Sequence, residues 1–95
     1  MIIVSQDKDV IVNFDKVENI WINNPLENNK RKFQIRAESY SRNMVIGEYK
    51  TQERAMQVLG EIIEFYEDTR QKMMLKNIYV LDADAADFVY YMPKE

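Results

Sequence analysis

Chemistry in this chain would have to come from carboxylates, hydroxyls and amines. The sequence has no histidine and no cysteine. That removes the commonest general base, the commonest thiol nucleophile and most transition-metal ligand sets. Two acidic sets remain for acid–base work or a Mg²⁺ ion: Asp7, Asp9 and Asp15, and Asp82, Asp84 and Asp87. The first set reads more simply as turn formers. The second reads as a solvated linker, since DADAAD lacks the central Gly and distal Glu of a calcium loop. Ser5, Ser39 and Ser41 fall in strand or turn contexts with no nucleophile-elbow pattern. Gly47 and Gly60, the only two glycines, cannot build a phosphate loop. The expectation is a protein that is not an enzyme and uses no metal or cofactor. A ligand site or enzyme built from a carboxylate and tyrosines is the third reading.

Two other groups of residues could recognise a partner. Between residues 30 and 54 there are seven basic and three acidic side chains, a local balance of +4. Lys30, Arg31, Lys32, Arg36, Tyr40, Arg42 and Lys50 could hold a single nucleic-acid strand by phosphate contacts and stacking. The plainer reading is a wet sheet face with lysines that blunt an edge. The other group lies near the end. Six Met and six Tyr are many for 95 residues, and large adaptable side chains suit protein interfaces. Met73, Met74, Tyr79, Phe88, Tyr90, Tyr91 and Met92 are the candidate partner-binding residues. The run FVYYM could equally be the last piece of core, a sheet strand, or a strand lent to a partner.

These residues need a scaffold, and one stretch dominates it. Ala55, Val58, Leu59, Ile62, Ile63 and Tyr66 follow the spacing of one helical face, with Met73 one step further and Met56 and Phe65 at its edges. Glu53, Gln57, Glu61, Glu64, Asp68 and Gln71 fall opposite. Thr51 is the expected N-cap, and Glu53 complements the helix dipole. Gly60 costs about 1 kcal/mol against Ala in a helix; it is either tolerated or approached by something. The segments before the helix read as strands. Ile2–Ser5 and Val10–Phe14 form a hairpin. Val17–Ile22 needs a bulge near Glu18 or Asn19 to keep its alternation. After the Asn-rich loop 23–32, Phe33–Tyr40 alternates cleanly, and Met44–Tyr49 returns, with Gly47 signalling a bulge or a close backbone approach. Ile78–Leu81 reads as a short strand.

The layout predicts a single α+β domain over 1–95, with a sheet in 1–50, the helix in 51–75 and a short apolar C-terminal segment in 76–95. The sheet is expected to be antiparallel, with four or five strands packed on one long amphipathic helix. A chain this short buries a modest core, and forming a homodimer would add to it. The absence of cysteine, of a long apolar run and of a basic, apolar leader points to a cytoplasmic protein without a membrane partner. A net charge of −3 argues neither for nor against nucleic acid.

Three stretches, MIIVSQDKDVIVNFDKVENI, IGEYKTQERAMQVLGEI and YYMPKE, resemble small uncharacterised proteins encoded by phages and prophages of Gram-positive bacteria. The resemblance spans roughly half the chain. It implies a cytosolic protein of an infected or lysogenic cell and transfers no site residues. Strands followed by a helix are also similar to small pleckstrin-homology-like sheets, a fold-level analogy without functional content. The leading expectation is a non-catalytic protein-binding protein, a phage-encoded modulator or inhibitor of a host or defence component. Nucleic-acid binding through the basic 30–54 segment is the alternative.

Overall fold

The computed structural model describes residues 1–24, 32–76 (backbone alone over 73–76) and 88–95. Among the described residues six strands and one helix follow one another: β1 (Ile2–Val4), β2 (Ile11–Asn13), β3 (Asn19–Asn23), β4 (Phe33–Ser39), β5 (Arg42–Tyr49), α1 (Gln52–Lys76) and β6 (Val89–Tyr91), with a 3₁₀ turn at Phe14–Lys16. The fold is α+β. The expected single sheet of four or five strands is instead two sheets of three, in the orders β2-β1-β6 and β3-β4-β5. The strand proposed at Ile78–Leu81 lies outside the described residues.

The first hairpin is built by its turn. Ser5 N–H donates to Val10 O at 2.9 Å, and Lys8, at φ 61°, donates its N–H back to Ser5 O at 2.9 Å. The Ser5 hydroxyl donates to Asp9 Oδ1 at 2.8 Å and accepts from Val10 N–H at 3.0 Å. β2 then alternates as its sequence requires, with Val12 buried and Ile11 and Asn13 exposed. Val17 does not enter β3. It closes the 3₁₀ turn by donating to Phe14 O at 3.1 Å. With Val17 left out, β3 pairs with β4 in unbroken register from Asn19 to Asn23, without the bulge expected near Glu18 or Asn19.

The bulge is in β5. Ile35 pairs with Gly47 while Arg36 pairs with Val45, so Ile46 is extra. Both Ile46 and Gly47 are buried there. Gly47 sits at a close approach: a Cβ at that position would lie 2.9 Å from Met92 Cε and 3.0 Å from a Tyr49 ring carbon, so the Met92 methyl would have to shift. Between β4 and β5 the turn is Tyr40-Ser41, at φ 50° and 67°, the left-handed pair of a two-residue hairpin.

Thr51 caps α1 by accepting from Arg54 N–H at 3.1 Å. The helix lies on the inner face of β3-β4-β5, where Ile35, Ala37 and Ile46 meet Ala55, Val58 and Ile62. Leu59 and Tyr66 are half-buried against this core. Ile63 departs from expectation, being 48% exposed. Thr69 takes the next interior step: it is buried, and its hydroxyl donates to Tyr66 O at 2.9 Å. The stripe therefore runs 55, 58, 62, 66, 69, and Ile63 sits about 100° round the helix from Ile62. Gly60 has nothing within 4 Å of where a Cβ would stand; no neighbour explains it.

The C-terminal residues belong to the same core. β6 runs parallel to β1, with Ile3 opposite Tyr90. Ile2 N–H donates to Phe88 O at 2.9 Å, and Met92 N–H to Val4 O at 3.0 Å. Phe88 and Met92 are buried, 4% and 5% exposed. Tyr90 stacks tilted on Phe65 with ring centroids 5.5 Å apart, and Phe14 does the same with Tyr66 at 5.0 Å. Rings on two different elements thus tie the smaller sheet to the helix.

Candidate functional site

The two sheets meet at Gln6, one residue past the buried Ser5. Its N–H donates to Ile46 O at 2.9 Å. Its carboxamide then behaves like a strand peptide toward Glu48, accepting from Glu48 N–H at 2.7 Å and donating to Glu48 O at 3.0 Å. The same Nε2 donates to Lys94 O at 2.6 Å. Tyr49 and Arg54 hold the end of the chain from the other side. The Tyr49 hydroxyl donates to Pro93 O at 2.8 Å, and Arg54 Nε to Glu95 O at 2.9 Å.

This joint leaves a cleft of about 830 Å³ walled by five segments: the β1–β2 turn, Lys32 just before β4, the end of β5, the start of α1, and residues 94–95. The volume lies in the range of ligand sites, roughly 300–1,000 Å³. Its charged lining is Lys8, Lys32, Lys50, Arg54 and Lys94 against Asp7, Glu48 and Glu95. Lys32 pairs with Glu48 at 3.4 Å. Arg54 is held by Gln57 Oε1 at 2.8 Å and lies 3.8 Å from Glu61 Oε1. Beside the Gln6–Glu48 bridge lies a smaller hollow of about 450 Å³ reaching Ser5, Asp9 and Val45.

The tyrosines here are donors. Burial pushes the Tyr49 phenol up to about 12, with Arg54 opposing and Glu61 reinforcing. Burial also raises Tyr90, and the Glu61 carboxylate that accepts its hydroxyl proton at 3.2 Å raises it further. Near neutral pH both stay protonated, so neither is a base or a nucleophile. The Ser5 hydroxyl is committed to Asp9 and Val10. Among the described residues no three acidic side chains come close enough to hold a metal ion; Asp82, Asp84 and Asp87 lie outside them.

The nucleic-acid set is dispersed. Arg36 lies on the outer face of β3-β4-β5, its guanidinium held by Asn43 Oδ1 and Gln34 Oε1, each at 2.7 Å. Tyr40 and Arg42 are exposed at the β4–β5 turn. Lys32 and Lys50 stand at the opposite end of the hairpin, in the cleft, about 23 Å away for seven residues of strand. Lys30 and Arg31 lie outside the described residues. The protein-binding set is dispersed as well. Phe88 and Met92 are interior, Tyr90 is half-buried, and Tyr91 alone is well exposed, at 64%. Tyr79 and the side chains of Met73 and Met74 lie outside the described residues.

Sequence reasoning missed Lys8, Lys94 and the role of Gln6, because the cleft joins positions remote in the chain. It also left out Trp21, which sits half-buried opposite Arg36 on the outer sheet face. No helix among the described residues is long and apolar enough to cross a membrane. No protein-family model, curated protein or solved structure matches the chain.

Proposed function

We propose that this is a non-catalytic binding protein whose target is another protein, engaged at the cleft between the two sheets. One observation carries the reading: five separate segments converge on an 830 Å³ cleft whose frame at Gln6, Glu48 and Tyr49 is fixed by hydrogen bonds and whose lining tyrosine, Tyr49, is held neutral. A preformed concavity with a largely apolar lining, charged groups around it and no activated tyrosine suits recognition. The nucleic-acid reading is weaker because its residues divide between the two ends of the β4–β5 hairpin. The phage-like stretches of the sequence make host and defence proteins the first place to search for the target.

A photo-crosslinking residue at Asp7, exposed on the cleft rim, tests this against one at Met56 on the exposed side of α1. Capture of one partner from host extract at Asp7 and not at Met56 is the expected result. Capture at Met56 alone would sink the cleft as the binding site.

A further inference from the structure

We propose that the cleft receives an acidic, extended segment of the partner protein, with its carboxylates held by Lys8, Lys50 and Lys94. The proposal rests on the cleft being the partner site and adds the chemistry of what enters it. The first argument is the sign of the charge. The chain as a whole carries −3, yet five cations and three carboxylates line this cleft. A local field opposite to that of the molecule steers an anionic segment to this one place.

The second argument is which cations are spoken for. Lys32 is paired to Glu48, and Arg54 is fixed by Gln57, Glu95 O and Glu61. The ammonium groups of Lys8, Lys50 and Lys94 have no hydrogen-bond or ion-pair partner among the described residues. They come from three elements: a hairpin turn held by Ser5 and Asp9, the β5–α1 junction, and the segment pinned by Gln6 and Tyr49. Three uncommitted cations brought together by long-range folding are placed for a ligand with several separated negative charges.

The third argument selects among anions. A single phosphate is far smaller than 830 Å³ and would leave most of the cleft unfilled. A nucleic-acid strand needs continuous positive charge and open aromatic faces, whereas Asp7 and Glu48 interrupt this lining and Tyr49 is only 2% exposed. A peptide can place its carboxylates at the lysines and leave neutral positions opposite Asp7 and Glu48.

Amide NMR titrations of the full chain decide it, with a synthetic Glu- and Asp-rich peptide, a Lys-rich peptide, a single-stranded oligonucleotide and inorganic phosphate as probes. The acidic peptide is expected to shift the amides of Lys8, Lys50 and Lys94, and the Lys-rich peptide is expected to leave them unmoved. The Lys8→Ala/Lys50→Ala/Lys94→Ala variant should keep its amide dispersion and bind the acidic peptide about tenfold or more weakly, as loss of three exposed charge pairs requires. Salt should weaken the wild-type interaction. Phosphate or oligonucleotide saturating the same amides at lower concentration overturns the proposal, as does peptide binding that survives the triple variant. Partner capture at Asp7 that is unchanged in the triple variant and in high salt sinks the acidic chemistry while keeping the cleft. Loss of capture at Asp7 with capture elsewhere sinks the cleft reading itself.

Discussion

At the scale of single residues, the protein carries local cost where its turns are tight. Tyr40 and Ser41 both have positive φ, a region that costs an ordinary L-residue roughly 1–2 kcal/mol and that Asn and Gly tolerate. Tyr40 is 71% exposed, so little packing offsets this. Tyr40→Asn/Ser41→Gly should therefore stabilise the hairpin by about 1 kcal/mol and raise Tm by about 4–8 °C, read by thermal denaturation. An unchanged or lower Tm would mean that Tyr40 has contacts worth more than its backbone strain. The sequence showed a turn here but not its type, because neither residue is a usual left-handed former. Gly47 was readable in advance, since an isolated glycine in a strand marks a bulge or a close backbone approach, but its neighbour Met92 was not.

A second residue-scale consequence concerns pH. Tyr49 is raised from 10.0 to about 12, so the folded state binds its proton more tightly than the unfolded chain does. This contribution is complete below pH 10 and is lost as pH rises from about 10 toward 12. Tyr90 moves the same way. Tyr49→Phe should cost about 1 kcal/mol at neutral pH, through the lost bond to Pro93 O. Tyr49→Phe/Tyr90→Phe should also flatten the alkaline fall in stability. Denaturant midpoints across that pH range measure both, and a fall as steep as wild type would place the titrating groups elsewhere.

At the scale of elements, strand character was legible through alternation, and the helix through its 3.6-residue period and Thr51 cap. Partnership was not legible. The run FVYYM reads as apolar and aromatic whether it completes a sheet or leaves it. Parallel pairing with β1 joins residues 2–4 to 89–91, a separation no local pattern encodes. The helix stripe erred at one position: periodicity permits either 62 or 63 to lead the face, and in the fold Ile62 is buried while Ile63 is 48% exposed. Since Phe88 and Met92, the buried residues flanking β6, bond Ile2 and Val4, deletion of residues 88–95 should abolish cooperative unfolding. Met92→Ala, the milder change, should cost about 2–5 kcal/mol. In the intact chain the amides of Ile2 and Met92 should exchange as slowly as those of β4. Rapid exchange there, with β4 protected, would show that β6 is peripheral.

At the scale of the molecule, two small sheets have to be made into one body. Ring contacts do this on the helix side, and Gln6 does it on the cleft side. Its main chain continues the pairing to Ile46, while its carboxamide serves Glu48 N–H, Glu48 O and Lys94 O together. In the sequence Gln6 is one polar residue in a turn-like run, Gln6-Asp7-Lys8-Asp9, and nothing in its type announces a structural role. Its value comes entirely from where β5 and the C-terminal segment arrive. Removing the carboxamide strands Glu48 N–H beside the sheet joint, a loss of about 1–3 kcal/mol. Gln6→Ala should lower the denaturant midpoint accordingly, with an unchanged m-value. It should also quicken exchange at Glu48 and loosen the segment carrying Lys94, which Tyr49 and Arg54 still hold through Pro93 O and Glu95 O. Lys94 would then be held less firmly beside Lys8 and Lys50, so acidic-peptide affinity should fall even though every lysine remains. Gln6→Glu keeps the length and the acceptor for Glu48 N–H but cannot donate to Glu48 O or Lys94 O when ionised. It should therefore keep Glu48 N–H protected, unlike Gln6→Ala, while still loosening the segment carrying Lys94 and weakening the acidic peptide. A Gln6→Ala variant that is as stable as wild type and binds the peptide equally well would mean that the helix-side contacts alone set the geometry of the two sheets.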